Sequence, residues 1–357
     1  MYGDAFGSES RRGSPCVLSS PPPGSDMSFL LETKNLSKRF VKHLDLAARM
    51  ARKIGAEVQE EIVQAVDRVN LSINQGEVVG LVGESGCGKS TFGRMITGIL
   101  PPTYGTIHYR GKDISNAASP EGRSAALKIQ MIFQDPFASL NPRMRVRDIV
   151  GEAPEIHGLL DGRSQDDYVA SMLEKVGLEA SYASRYPHQF SGGQRQRLGV
   201  ARALAVQPEF LVCDEAVAAL DVSIQAQVLN LFMDLREQLN LTYLFISHDL
   251  SVVEHISNRV QIMYLGRVVE SASTEELFKE PNHPYTQALL NEVPRLDLRK
   301  RNYTPVSGEI PSPLDPPSGC HFHPRCPHAT SKCRNEMPVL KEIAPGRASA
   351  CFLNESS

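Results

Sequence analysis

Apolar residues in this chain follow two rhythms. Phe29 to Phe40 and Val66 to Ile73 have the alternation of strands with one buried face. Glu77 to Val82, Phe210 to Cys213 and Leu241 to Ile246 are short unbroken apolar runs, as strands covered on both faces require. Helical spacings recur between them, for example Leu198, Ala201 and Leu204 behind a Ser-Gly-Gly opening. Strand, loop, helix and strand in succession predict an α/β core with a mostly parallel sheet. From 41 to 63 the composition shifts to Ala, Glu, Lys, Arg and Leu, which predicts a helical insertion despite Gly55. A solvated surface helix is the first reading of that insertion and a docking element the second. Residues 1–26, rich in Ser, Pro and Gly, predict a disordered tail, and Met27 stands just ahead of the first periodic segment. Past Pro281 the chain becomes Pro-rich, which marks a separate C-terminal segment over 281–357. No internal repeat interrupts this order.

Composition narrows the classes without choosing one. The 357 residues are 41% apolar and 22% charged, with a formal net charge of −3. That is the balance of a globular protein and gives no polybasic surface for nucleic acid or anionic lipid. No run approaches the ~18 consecutive apolar residues that span a bilayer. Arg11-Arg12 is followed by Gly, Ser and Pro, not by an apolar core, so the pattern of a signal peptide is missing. Any work at a membrane is therefore expected to pass through partners that cross it.

The sharpest motif is Gly83-Glu84-Ser85-Gly86-Cys87-Gly88-Lys89-Ser90, directly after a strand and before the helical pattern that begins at Thr91. It fits G-x-x-x-x-G-K-[ST] in the context that motif needs. Glycines let backbone N–H groups face phosphate oxygens, and the following helix adds the positive end of its dipole. Lys89 is placed to reach β- and γ-phosphates, and the Ser90 hydroxyl to ligate Mg²⁺. Cys87 reads as a small residue that fits the loop. A second apolar strand ends in Asp214-Glu215. There Asp214 is expected to hold Mg²⁺ through its water shell, and Glu215 to polarise the attacking water. Between the two motifs, Ser191-Gly192-Gly193-Gln194 opens a helix and forms another anion-binding N-terminus. Two phosphate cradles with one lysine suggest that the second serves a nucleotide held by another subunit.

Taken together, these motifs with Gln134, Asp221 and His248 closely resemble the nucleotide-binding subunits of ABC transporters, over about Phe29 to Glu292. The resemblance implies a P-loop NTPase cassette over 27–280, with antiparallel β and helical subdomains, the helical one spanning 135–205. It implies that ATP and Mg²⁺ are bound and ATP hydrolysed. It gives Gln134 contact with Mg²⁺ and sensing of the membrane partner, Asp221 communication across a cassette dimer, and His248 contact with the γ-phosphate. Phe40 is either an adenine-stacking ring or a core aromatic. One departure is visible: where the family usually has Pro-Thr-Ser, this chain reads Glu215-Ala-Val-Ala-Ala-Leu-Asp221, which can soften the loop but removes no catalytic group.

The segment Asn282-His283-Pro284-Tyr285-Thr286 resembles the hallmark of the oligopeptide, dipeptide and nickel importers, as does the later Cys-rich tail. Phe190 and Gln194 resemble the second ATPase of such pairs. The implied partners are a second ATPase subunit (a different companion chain first, another copy of this chain second), two transmembrane permeases and, through them, an external solute-binding protein, with no nucleic acid. The implied location is the cytoplasmic face of the inner membrane, held peripherally. Of seven cysteines, Cys320, Cys326, Cys333 and Cys351 crowd the tail. In a reducing compartment such a group suggests a metal centre. A [4Fe–4S] cluster on all four is the first expectation; zinc on Cys with one of His321, His323 or His328 is the second; unliganded thiols are the third. Two functions compete with transport: a soluble ABC ATPase of translation or DNA repair, and a catalytically silent assembly subunit. One cassette without a long coiled-coil insertion weighs against the former, and intact Lys89, Glu215 and His248 against the latter.

Overall fold

The computed structural model describes residues 29–42, 61–292 and 308–355. Two sheets organise them. Strands β1 (Leu31–Lys42) and β2 (Glu61–Ile73) pair antiparallel, and β4 (Tyr104–Tyr109) and β5 (Lys112–Asp113) extend them in the order β2-β1-β4-β5. The helical insertion expected over 41–63 needs correction at both ends. Val41 and Lys42 finish β1, Glu61 to Val63 open β2, and Val41 faces Ile62 across the ladder. Cross-strand pairing overrides the weak helix propensity of these ends. The remainder of that expected helix, 43–60, lies outside the described residues, as do the expected tail 1–26 and residues 293–307.

The central sheet carries the three unbroken apolar runs. These are β3 (Val78–Val82), β7 (Phe210–Asp214) and β8 (Thr242–Ser247), buried throughout, as coverage of both faces demands. With β6 (Ile129–Ile132) and β9 (Arg259–Tyr264) they form a parallel block, β9-β3-β8-β7-β6. Helix α1 (Lys89–Ile96) leaves β3, and α2 (Pro120–Lys128) precedes β6. A helical layer follows, with α3 (Val146–Ile156), α4 (Gln165–Lys175) and α5 (Gly192–Leu204). Leu198, Ala201 and Leu204 face inward on α5, and buried Tyr168 of α4 donates to the Ala205 carbonyl at 2.7 Å. Helix α6 (Val222–Leu239) leads into β8, and α7 (Leu250–Ile256) into β9.

The chain past Pro281 is compositionally distinct yet continues the same sheet. Strand β10 (Arg267–Ser273) lies antiparallel to β9, and it accepts β12 (Arg347–Ser349) and then β11 (Lys341–Ala344) from the tail. Between them come α8 (Thr274–Lys279) and α9 (Pro284–Glu292). Buried Glu270 accepts the backbone N–H groups of Asn282 and His283, each at 2.8 Å, and so ties the start of the tail to β10. Phe322 of the tail, 2% exposed, packs with Tyr264 of β9 and Tyr285 of α9.

Candidate functional site

The phosphate-binding motif sits where β3 ends and α1 begins. Gly88 has φ 106°, and a Cβ there would stand 2.1 Å from the Ala65 carbonyl of β2. Only glycine closes this turn against the neighbouring strand. Lys89, 4% exposed, donates from Nζ to the Gly83 carbonyl at 2.7 Å and the Glu84 carbonyl at 3.0 Å. Cys87, 4% exposed, packs beside it, and burial pushes its thiol pKa up. The Ser90 hydroxyl donates to Asp214 Oδ1 at 2.7 Å, across from the end of β7. Burial raises the Asp214 carboxyl above its ordinary range, against the opposing Ser90 hydrogen bond. A divalent cation beside these two hard oxygens would supply the charge that the buried carboxylate lacks.

Glu215 follows at φ 47°, its N–H donating to the Ile246 carbonyl of β8 at 2.9 Å. Its carboxylate meets side chains from two other loops. Gln134 Nε2 donates to Glu215 Oε2 at 2.7 Å, and His248 Nδ1 lies 3.4 Å from the same oxygen. Ser85, Gly86, Gly88, Lys89, Ser90, Thr91, Gln134 and Glu215 line one cavity of about 230 Å³. Val63, Gln64 and Ala65 of β2 form another wall. The unusual residues after Glu215 keep the loop closed: Ala216 and Val217 are buried, and Ala218 N–H donates to the Glu215 carbonyl at 3.1 Å.

Other sequence candidates stand apart from this cavity. Ser191 caps α5 by accepting from Gln194 N–H at 3.3 Å, while Gln194 Oε1 accepts Ser191 N–H at 3.0 Å. Ser191 and Gly192 are exposed, and none of Ser191, Gly192, Gly193 and Gln194 lines the cavity of Lys89. Asp221 lies exposed at the start of α6. Phe40 pairs with Val63 on the ladder and is 43% exposed, so it is not a core aromatic. Three residues that sequence reasoning missed reach the phosphate loop from the tail side. Pro313 lines the cavity, the Tyr285 hydroxyl accepts Glu84 N–H at 3.0 Å, and Arg325 pairs with the Glu84 carboxylate. No local signal in the sequence marks these contacts.

In the tail, Cys320, Cys326, Cys333 and Cys351 line a single cavity of about 300 Å³, with His283, His323 and His328 on its walls. All four thiols are free, and Cys320 N–H donates to the Cys333 carbonyl at 2.8 Å. Burial pushes the Cys320 thiol up to about 11 and raises Cys326 and Cys351 as well. Among the described residues no group of three or more His, Cys, Asp or Glu side chains is disposed to hold a metal ion. The expected metal centre therefore has no ion-sized set of ligands in this arrangement, and His321 faces a different cavity, of about 420 Å³.

A glycine-rich cradle with its lysine, a hydroxyl–carboxylate pair and a glutamate lining the same cavity define a P-loop nucleotide hydrolase of the cassette type. The model of ABC transporter domains matches residues 66–218, and that of the oligopeptide/dipeptide transporter C-terminal region matches 269–333. The chain belongs to the ABC transporter family, among the ATP-hydrolysing subunits whose relatives are oligopeptide and dipeptide transport ATP-binding proteins. It is 51% identical over 333 residues to the oligopeptide transport ATP-binding protein AppF of Bacillus subtilis, covering 92% of this chain and 98% of that one. It is 46% identical over 318 residues to the dipeptide transport ATP-binding protein DppF of Escherichia coli, covering 89% and 95%. Among solved structures it is similar to the dimeric cassette MJ0796 in a post-hydrolysis state with ADP and Pi. That match has a TM-score of 0.58 and 28% identity, over 68% of this chain and 98% of that one.

Proposed function

We propose that this chain hydrolyses ATP to drive a bacterial-type importer of peptides or related small solutes. It would act as one of two cassettes, with a companion ATPase, beneath two permease subunits served by an external solute-binding protein. Its place is the cytoplasmic membrane face, held by those partners; no helix of the described residues is long and apolar enough to cross a membrane. The observation that carries the reading is Glu215, whose carboxylate is shared by Gln134 and His248 beside the Ser90–Asp214 pair.

The chemistry follows from these groups. Lys89 leaves the carbonyls of Gly83 and Glu84 to reach β- and γ-phosphate oxygens, helped by the N–H groups from Ser85 to Thr91. Ser90 and Asp214 would hold Mg²⁺ with Gln134 nearby, and the ion would supply positive charge to offset that of the phosphates. Glu215 orients the attacking water, and His248 meets the γ-phosphate. Phe40, cross-strand partner of the cavity-lining Val63, would stack on the adenine. The exposed Ser191–Gln194 helix start faces a nucleotide on the partner cassette, and Asp221 relays across that interface. Reconstituted transporter should hydrolyse ATP and accumulate peptide, and both should fall at least about a hundredfold with Glu215→Gln. Solute-independent turnover by the isolated chain at the full rate would refute the transport reading.

For the tail we infer a [4Fe–4S] cluster held by Cys320, Cys326, Cys333 and Cys351, which would staple a segment with little core of its own. Support comes from the four free thiols that line one cavity. A four-iron cube holds its thiolates farther apart than a single zinc, whose Zn–S bonds of about 2.3 Å draw them together. Anaerobically purified protein should be brown, with about four irons per chain. Stoichiometric zinc or metal-free protein with four titrating thiols would each overturn the cluster.

A further inference from the structure

We propose that Arg325 is a positioning residue for the phosphate-binding loop: through Glu84 it locks the loop in its nucleotide-accepting shape, so the cysteine-bearing tail sets nucleotide affinity. The proposal rests on the reading of this loop as a nucleotide cradle. Glu84 is one of the variable positions of the motif, yet the tail grips it twice. Arg325 Nη1 donates to Glu84 Oε2 at 2.8 Å, and Nη2 to Oε1 at 2.9 Å, a two-pronged pair across 241 positions of sequence. The Tyr285 hydroxyl accepts the Glu84 N–H at 3.0 Å. The carbonyl of the same residue accepts from Lys89 at 3.0 Å. One residue thus links the tail to the lysine that must reach the phosphates.

The grip is rigid. Arg325 is 8% exposed, with its guanidinium 5.9 Å from the Tyr264 ring centre and 6.0 Å from that of Phe322. Those rings and Tyr285 are each at most 2% exposed and pack on one another at 4.6 to 5.4 Å. A planar, buried guanidinium in such a slot fixes both carboxylate oxygens, which a lysine cannot do. Removal of Arg325 would leave an uncompensated carboxylate on a loop built to receive polyphosphate. It would also free the peptide that orients Lys89. Glu215, Gln134 and His248 do not touch Arg325, so the loss falls on binding and not on the hydrolytic step.

The test uses the full chain, with a fluorescent ATP analogue and Mg²⁺ for affinity, and the assembled transporter for turnover. Arg325→Gln should weaken nucleotide binding about tenfold and Arg325→Lys about threefold, the scale of a charge-assisted hydrogen bond. Turnover at saturating ATP should change less than about twofold, giving a raised KM with kcat preserved. Adding Glu84→Gln to Arg325→Gln removes the stranded charge and should restore affinity to within about twofold of the parent. Tyr285→Phe, which deletes only the hydroxyl, should weaken binding about threefold and serves if Arg325→Gln does not fold. Parent-like affinity in Arg325→Gln, or in Tyr285→Phe where that is the variant tested, with only a lowered Tm, would show a structural role and overturn the proposal. An equal loss in the single and double variants would overturn action through Glu84. Failure of the parent protein to bind ATP would instead overturn the nucleotide reading itself.

Discussion

Replacing Glu215 by Gln separates binding from chemistry at the centre of the site. The side chain is 13% exposed, with one oxygen 2.7 Å from Gln134 Nε2 and 3.4 Å from His248 Nδ1. An amide keeps the shape and can still accept from Gln134, at a cost of about 1 kcal/mol for the lost charge assistance. Neither Lys89 nor Ser90 bonds to Glu215; their partners are the loop carbonyls and Asp214. Nucleotide affinity should therefore stay within about threefold of the parent, a change of under ~1 kcal/mol. Turnover should fall about 10²- to 10⁴-fold, the range for removal of a positioned base, or roughly 3–5 kcal/mol on the barrier. The assay is equilibrium binding of a fluorescent nucleotide beside steady-state phosphate release from the reconstituted transporter. Turnover above a tenth of the parent rate would refute the role of Glu215. An affinity that fell in step with turnover would refute the separation of the two functions.

Ser191→Arg should stop turnover in the assembled transporter while sparing nucleotide binding to the same chain, since Ser191 is exposed and lies outside the Lys89 cavity; a strictly monomeric preparation hydrolysing ATP at the full rate would refute this head-to-tail arrangement. Gly88→Ala should destabilise the fold by about 2–4 kcal/mol, because the Cβ meets the Ala65 carbonyl at 2.1 Å and φ is 106°. Urea unfolding within ~1 kcal/mol of the parent would count against that packing. His283 is buried and its imidazole is driven down to about 4 by loss of solvent, its Nδ1 accepting Tyr285 N–H at 3.1 Å. Its folded pKa lies below the unfolded value of about 6.5, so its contribution is fully present above that pH and is lost as pH falls toward 4, up to about 3 kcal/mol. Denaturation at pH 7.5 and pH 5 should show this loss in the parent and a smaller one in His283→Asn, whose amide oxygen can accept the same N–H; equal losses would exclude His283 as the source.

Features that depend on near neighbours in the chain are legible in the sequence by itself. The loop from Gly83 to Ser90 is a matter of backbone angles and N–H directions over a few residues, and glycine spacing records those directly. The Ser191–Gln194 cap is likewise local, a hydroxyl and an amide three positions apart. The buried strands announce themselves because coverage on both faces demands unbroken apolar runs, as in β7 and β8. Expectation fails where a distant partner decides the outcome. The ends of the 41–63 segment favour helix alone, but each finds a ladder in the other, as Val41 does in Ile62. The Pro-rich tail reads as separate, but β10 offers it a sheet edge, and pairing satisfies backbone groups that composition does not reveal. Glu84 and Arg325 show the same division at the site. A carboxylate at a variable loop position and an arginine beside a cysteine carry no mutual signal in sequence. Only folding brings them to 2.8 Å in a pocket of three aromatic rings, where burial makes their charges depend on each other.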